Sequence, residues 1–304
     1  MSASLLLPRL LPKISTNVRF AAAAVLAPDL AGAWAERLFL TPPRPQIEAC
    51  ALDLIDARSR FIVHKGRHIA VWEWGWKSRE APAVLLAHGW GGHTAQMRAF
   101  VFPLLAAGYR VVGFDQPAHG ISEGRLTSLV DFADVLAAVA ARHAPVSAVI
   151  GHSLGAAATA FALSRGLAAK TAVLVSPPSD VAGYSRRFAR WHWIPEPVRR
   201  SMQAAIEERY GVRWEELEVE RVAAQIKARA LIVHDREDSM VPWRHGVRVA
   251  RAWPGARLHL TKGLGHGRIL RDESVTRSAA DFIAGRSMVA SVAAPAVPMP
   301  APLF

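Results

Sequence analysis

The sequence has 304 residues, and 51% of them are hydrophobic, which is enough to bury one large core. The formal net charge is +12, and the single cysteine, Cys50, excludes an internal disulfide and a cysteine-rich metal site. A basic chain can bind nucleic acid or an anionic membrane, but the arginines are scattered, which favours a soluble basic enzyme. One cysteine fits a reducing compartment, so we expect a cytoplasmic location.

The first part of the chain, residues 1–60, predicts a helical extension. Residues 18–39 are compatible with a helix, which would end before Thr41-Pro42-Pro43. Residues 1–28 carry three cations and no acid and include an apolar stretch over residues 20–27. This pattern also resembles a secretory signal peptide or an anchoring segment. Pro28 and Asp29 interrupt that stretch and favour the leading helix. No apolar run reaches the roughly 18 residues that a membrane helix needs.

A strand and helix alternation begins after the extension. Two β-rich runs around Lys65-Gly66-Arg67 predict a hairpin. Short apolar runs predict strands over residues 83–88, 110–114, 147–152, 171–176, 228–235 and 257–261. Helical spacing predicts helices over residues 94–107, 128–143, 154–165 and 274–284. Residues 61–176 and 227–286 therefore predict an α/β fold, a mostly parallel sheet with helices on both faces.

Residues 177–226 break this alternation and are too long for an ordinary connection. They hold Trp191, Trp193 and Trp214 among many Arg and Glu residues. We expect a helical cap, or lid, over the carboxyl ends of the strands, where ligands bind in such sheets. The alternative is a helical excursion that packs elsewhere. Residues 287–304 are rich in Ala and Pro and predict a disordered tail.

The stretch Gly151-His152-Ser153-Leu154-Gly155 lies between a predicted strand and a predicted helix. Gly-x-Ser-x-Gly in that context indicates a nucleophile elbow, a strained turn that lifts the serine hydroxyl clear of the sheet. The Leu154 N–H at the helix start suits a developing oxyanion. Taken alone the pattern is weak, and an ordinary strand-to-helix turn is the alternative.

Three further segments support a catalytic serine. The glycine-rich loop from His88 to Gly92 can aim the Trp90 N–H at the serine as a second oxyanion donor, although His88 itself could be a packed core histidine. Asp235, Glu237 and Asp238 follow one strand, and His266 follows the next. Ser153, an acid and His266 then come in the order expected for a triad on this sheet. Asp238 is the preferred acid, since Asp235 directly follows the strand and points along the rim or caps the turn.

These residues resemble the α/β-hydrolase superfamily, in its capped, esterase-like serine-hydrolase branch, from about residue 60 to residue 285. The resemblance rests on the segments His88-Gly89-Trp90-Gly91, Asp115 to Ser122, Gly151 to Gly155, Asp238 to Pro242 and Gly265-His266. It implies the α/β-hydrolase fold, with Ser153 as nucleophile, Asp238 as acid and His266 as base. It implies no metal and no organic cofactor, and it gives the segment after Asp115 a role in shaping the site.

The resemblance implies a carboxylesterase-like enzyme whose partner is a small acyl or ester substrate with an apolar group. Acyltransferases, thioesterases, amidases, carbon–carbon bond hydrolases and perhydrolases use the same triad and remain alternatives. A non-catalytic binding protein on this fold is a second alternative. A nucleic-acid or anionic-surface binder, driven by the charge of +12, is a third. No nucleic acid is expected as a partner, and the oligomeric state stays open.

Overall fold

The computed structural model describes residues 28–44, 54 and 56–286. Its strands, in chain order, are β1 (Arg58–His64), β2 (Arg67–Trp74), β3 (Ala83–Ala87), β4 (Arg110–Phe114), β5 (Val146–His152), β6 (Thr171–Val175), β7 (Arg229–Asp235) and β8 (Arg257–Thr261). Its α-helices are α1 (Pro28–Phe39), α2 (Val101–Ala106), α3 (Leu129–Arg142), α4 (Leu154–Ser164), α5 (Val181–Trp191), α6 (Glu196–Tyr210), α7 (Val219–Ala223), α8 (Arg244–Ala252), α9 (Gly265–Arg268) and α10 (Glu273–Ile283). Short 3₁₀ helices cover Thr94–Phe100, Trp214–Leu217 and Ile269–Arg271.

The eight strands form one sheet in the order β1-β2-β4-β3-β5-β6-β7-β8. The pairs β1–β2 and β2–β4 are antiparallel, and every other pair is parallel. Each residue of β3, β4 and β6 is buried, as expected for parallel strands covered on both faces. The predicted α/β-hydrolase fold, with a mostly parallel sheet, is therefore confirmed.

The predicted hairpin is the turn between β1 and β2. Lys65 and Gly66 are its two central residues, and their φ angles are 48° and 72°. Two positive φ angles in a two-residue connection match the right-handed twist of the flanking strands. His64 is therefore directly opposite Arg67 in the register.

The single helix predicted over residues 94–107 is wrong in its first half. Thr94–Phe100 is a 3₁₀ helix, and the α-helix begins only at Val101. His93, at the N-cap, makes no side-chain capping bond, while the Thr94 N–H and hydroxyl both donate to Asp115 Oδ1, at 2.8 and 2.9 Å. The first residue of the 3₁₀ helix thus donates its hydrogen bonds to Asp115, directly after β4, and the helix has no side-chain N-cap.

The described chain divides into two compact units. One combines the segment that ends at Leu40 with Ala182–Trp214, and the other combines Thr41–Val181 with the chain from Glu215 onward. In the first unit α1 packs on α6: a Cβ atom on Gly32 would overlap the Ser201 hydroxyl. Glu36 and Arg209 form an ion pair of 2.5 Å between the same helices. Residues 28–40 of the predicted extension and residues 182–214 of the predicted cap therefore belong to one helical unit. The rest of the described extension, from Thr41 onward, and residues 215–226 of the predicted cap belong to the sheet unit.

Trp214 forms the core of the helical unit. It is 2% exposed, and its ring centroid lies 5.7 Å from that of Phe39. Trp191 and Trp193, in contrast, are 80% and 69% exposed. The three tryptophans of the predicted insertion therefore have different surroundings.

In residues 28–44 and 56–286, no helix is both long and apolar enough to cross a membrane. The signal-peptide interpretation of residues 1–28 and the tail predicted over residues 287–304 fall outside the described residues, apart from Pro28.

Candidate active site

Ser153 lies at the junction of β5 and α4, in a strained turn. Its φ is 51° and its ψ is −120°, a backbone conformation that non-glycine residues rarely adopt. The Ser153 N–H donates to the Val175 carbonyl oxygen at 2.9 Å, which ties the turn to β6. A Cβ atom on Gly151 would lie 2.6 Å from the Gly155 carbonyl oxygen, and one on Gly155 would overlap that of Ala87. Both glycines are therefore required by the close approach of neighbouring backbone.

Two backbone N–H groups beside Ser153 can bind an oxyanion. The loop after β3 touches the serine, since a Cβ atom on Gly89 would lie 2.9 Å from Ser153 Cβ. The N–H groups of Trp90, in this loop, and of Leu154, the first residue of α4, donate to no acceptor in the described part of the chain. Leu154 also lies at the positive end of the α4 dipole. Both predicted donors therefore remain available to a ligand.

Two buried histidines hold the loop after β3 that carries Trp90. His88 Nδ1 donates to the Gly89 carbonyl oxygen at 2.7 Å, and His88 Nε2 accepts from the Gln116 N–H at 2.9 Å. His119 Nε2 accepts from the Gly91 N–H at 2.9 Å. A ring nitrogen can accept only when the imidazole is neutral, and burial lowers the pKa of both histidines to about 3. His88 thus has a packing role, as the alternative interpretation of the sequence allowed, and the contribution of His119 was not predicted.

Asp238 and His266 form a direct pair. His266 Nδ1 lies 2.7 Å from Asp238 Oδ2, and the N–H groups of Met240 and Val241 donate to Oδ1 at 2.9 and 2.8 Å. Burial acts to raise the pKa of Asp238, but hydrogen bonds from His234, His266 and the Val241 N–H outweigh it and hold that pKa far below its usual range. In a neutral imidazole, an ionised Asp238 favours the tautomer that carries its proton on Nδ1.

The two other acids of this loop do not contact His266. Buried Asp235 accepts from the Glu237 and Leu264 N–H groups, at 2.9 and 3.0 Å, and from the Thr261 hydroxyl at 2.7 Å. It thereby joins the loop that carries Asp238 to the loop that carries His266. Glu237 is exposed. Asp235 is the last residue of β7, and Glu237 and Asp238 follow it. Of these three acids, the structure brings Asp238 against the histidine.

No hydrogen bond joins the described side chains of Ser153 and His266, and the link between these residues is His152. His152 Nε2 donates to the His266 carbonyl oxygen at 3.0 Å, and the two ring centroids lie 4.6 Å apart. Burial, and then the nearby His266, lower the pKa of His152 to about 3. Catalytic hydrogen bonds are often formed only when substrate binds. The one sequence signal for His152 is its position next to Ser153, within the Gly-x-Ser-x-Gly pattern.

His234, in β7, is a second histidine that the sequence did not single out. Its Nε2 donates to the Val241 carbonyl oxygen at 2.8 Å and lies 3.5 Å from Asp238 Oδ2. The side chain has no exposed surface. His234 therefore supports the loop around the acid from behind.

The segment after Asp115 lies beside a separate cavity. Asp115 is buried and accepts from the Ile121 N–H at 3.0 Å as well as from Thr94, and burial raises its pKa. A cavity of about 400 Å³ lies between this segment and the first hairpin, where Phe61 and Trp72 line it. Neither Ser153, Asp238 nor His266 lines that cavity, so it is distinct from the serine site.

Comparison with known proteins supports the fold and the family. Residues 84–280 match the model of the alpha/beta hydrolase family. A protein of Variovorax paradoxus, assigned by inference as the carbamate hydrolase RutD, is 26% identical over 261 residues, which cover 72% of this chain and 96% of that protein.

Two solved structures are similar in fold. Est1E of Butyrivibrio proteoclasticus, with bound ferulic acid, has a TM-score of 0.59 at 20% identity and covers 75% of this chain and 98% of its own. The esterase Pf2001 of Pyrococcus furiosus has a TM-score of 0.60 at 21% identity and covers 80% and 98%. Because the family match spans more than half of its residues, this chain belongs to the alpha/beta hydrolase family.

Proposed function

We propose that the protein is a serine hydrolase that cleaves ester-type or related acyl bonds through an acyl-enzyme intermediate. Ser153 is the nucleophile, His266 the general base and Asp238 the acid. The observation that supports this most is the 2.7 Å contact between His266 Nδ1 and Asp238 Oδ2, in a loop that His152 ties to the turn of Ser153. A binding protein on the same fold has no need of an ionised carboxylate that orients a free imidazole nitrogen.

The chemistry follows from this orientation. His266 Nε2 takes the proton of the Ser153 hydroxyl as Oγ attacks the carbonyl carbon of the substrate. The resulting imidazolium is stabilised by the Asp238 carboxylate. His266 then gives the proton to the leaving alcohol, and the bond between the carbonyl carbon and the leaving oxygen breaks. A water molecule, deprotonated by the same nitrogen, releases the acid and restores Ser153.

The N–H groups of Trp90 and Leu154 stabilise the negative oxygen of each tetrahedral intermediate. Both have no acceptor in the described chain, so no internal hydrogen bond has to break when the oxyanion forms. Donors fixed in advance cost little reorganisation during the reaction, and one such donor contributes roughly 10²–10³-fold to kcat in a serine protease.

We further propose that residues 177–226 act as a cap that selects a substrate with an apolar acyl or alcohol group. The named relatives include an esterase and an inferred carbamate hydrolase, so esters come first and carbamates second as substrate classes. A cytoplasmic location also stays a proposal, which the single cysteine supports.

A fluorophosphonate probe tests the nucleophile. We expect one labelled peptide, the one that contains Ser153, and no labelling of folded Ser153→Ala. Ser176 is a matched control, because it also has a positive φ, of 50°, and directly follows the neighbouring strand β6. Ser176→Ala should keep the labelling, and labelling that moves to another serine in Ser153→Ala would refute the proposal.

A substrate panel tests the reaction class. Chromogenic esters of graded acyl length, thioesters and aryl carbamates should be compared on wild type and Ser153→Ala. We expect ester hydrolysis that rises with acyl length and disappears in the variant. Faster transfer to an added alcohol than to water would assign the acyltransferase alternative.

A further inference from the structure

Helix α5 and the turn that follows it expose aromatic and cationic side chains together. Trp191, Trp193 and Tyr184 are 80%, 69% and 48% exposed. Tyr184, Arg187 and Trp191 lie at positions i, i+3 and i+7 and therefore form one row on the helix. We name the exposed set the Trp–Arg patch; it consists of Tyr184, Arg186, Arg187, Arg190, Trp191 and Trp193.

The backbone at Trp193 is strained. The Ile194 N–H donates to the Ala189 carbonyl oxygen at 2.8 Å and the Trp193 N–H to that of Arg190 at 3.3 Å, which is the hydrogen-bond pattern of a Schellman motif. Trp193 occupies the left-handed position of this motif, with a φ of 54°, where glycine is usual. The flanking Ala189 and Ile194 are buried. The chain thus keeps a bulky, exposed indole at a position that favours glycine, which packing within the helical unit does not explain.

The charged side chains of the patch are all arginines. Residues 181–195 contain Arg186, Arg187 and Arg190 and no acidic residue. The flanking acids in the sequence are Asp180 and Glu196, and Glu196 pairs with Arg199 at 2.7 Å. The local charge therefore has the same sign as the chain as a whole, which carries +12. A partner that fits the patch has to be anionic and also has to accept indole rings.

We propose that the Trp–Arg patch docks the protein on an anionic phospholipid surface. Indole rings prefer the boundary between the headgroups and the acyl chains, and arginines beside them bind anionic headgroups. Nucleic acid offers the charge but no apolar layer, and a second copy of this chain would bring the same positive charge against the patch. This inference does not depend on the proposed hydrolase activity.

The test is vesicle co-sedimentation of the full chain. We expect binding to phosphatidylcholine vesicles that contain phosphatidylglycerol, roughly tenfold weaker binding to pure phosphatidylcholine, and a loss of binding as salt rises. Tryptophan emission should shift to the blue on binding, and brominated lipids should quench it.

Two double variants define the patch. Trp191→Ala/Trp193→Gly and Arg187→Glu/Arg190→Glu should each weaken binding roughly tenfold or more. Glycine suits the φ of 54°, so the first variant should keep or raise the melting temperature. Melting curves of both variants verify that the fold is intact.

Matched controls lie outside the helical unit. Phe102→Ala removes a side chain that is 79% exposed, and Arg98→Glu/Arg221→Glu makes the same change of charge at two exposed arginines. Both should bind vesicles as wild type does. The proposal would be overturned if the patch variants bound vesicles as well as the control variants do, or if both charge-reversal variants lost binding equally. It would also be overturned if the protein bound duplex DNA more tightly than vesicles, or if it formed a dimer that the tryptophan variant dissociates.

Discussion

His152 Nε2 donates a hydrogen bond of 3.0 Å to the carbonyl oxygen of His266. The residue before the proposed nucleophile thus holds the loop of the proposed base. His152 is buried and its pKa is lowered to about 3, so the ring stays neutral at ordinary pH and does not compete with His266 for a proton. This relationship assigns His152 a positioning role in the proposed reaction.

Replacing His152 tests that role. We expect His152→Phe to lower kcat roughly tenfold at a nearly constant KM, because the ring volume is kept while one hydrogen bond is lost. His152→Gln keeps an N–H donor and should recover part of the rate.

His143→Phe is the matched control for His152→Phe. His143 is buried too, but it lies among Arg60, Arg110 and Glu73 rather than at the serine site. We expect this variant to lose stability and keep its rate per folded molecule. If both variants reduce kcat equally, the effect of His152 is a general packing effect.

We expect opposite defects from replacing the two buried acids at the end of β7, Asp235 in the strand and Asp238 in the loop after it. Asp238→Asn should lower kcat roughly 10³–10⁴-fold in a folded protein, since the amide cannot hold the tautomer of His266. Asp235→Asn should mainly destabilise the fold, because Asp235 accepts hydrogen bonds from Glu237, Thr261 and Leu264. Kinetics and urea unfolding of both variants check this. If Asp238→Asn stayed active while Asp235→Asn was stable but inactive, Asp235 rather than Asp238 would be the acid of the triad.

The sheet could be predicted from the sequence because its strands are continuous apolar runs. Strand β4 has the predicted bounds, Arg110–Phe114, and Ser128 caps α3 within one residue of the predicted helix start. Both signals are local. The pairing of α1 with α6 could not be predicted, because it depends on Gly32 and Ser201, which are far apart in the chain and carry no pattern of their own.

The roles of the site histidines depend on tertiary contacts. His119, in a loop after β4, accepts from an N–H in the loop after β3, and nothing in its sequence neighbourhood indicates this. The strained serine was predictable, because glycines on both sides are a local requirement of the turn. A histidine that supports another residue from a distance has no such requirement, so His88, His119, His152 and His234 needed the structure.

Gly155 should not tolerate a side chain. A Cβ atom added at this position would overlap the backbone carbonyl oxygens of Ala87 and His88. We expect Gly155→Ala to displace the loop after β3 that carries Trp90. Labelling by the fluorophosphonate should then slow by more than roughly tenfold, and the free energy of unfolding should fall by about 1–3 kcal/mol. Gly267→Ala is the control, because no atom lies within 4 Å of its added Cβ. If Gly155→Ala were labelled as fast as wild type, the loop would be able to move aside without affecting the reactivity of Ser153.

Mild acid should unfold the protein through its buried neutral histidines. His88, His119 and His152 have pKa values lowered from 6.5 to about 3, mainly by burial. Between those values the unfolded chain takes up three protons that the folded chain excludes, so the free energy of unfolding decreases as pH falls through this window. Buried His143, whose pKa is lowered to about 4, contributes to the slope with the same sign. Each of the first three histidines contributes about 1.4 kcal/mol per pH unit, or roughly 4 kcal/mol per unit for the three together.

Urea unfolding at several pH values between about 7 and 5 measures this slope. His152→Gln should reduce the slope by about 1.4 kcal/mol per pH unit. A free energy of unfolding that stays constant across the window would show that these rings accept protons in the folded state.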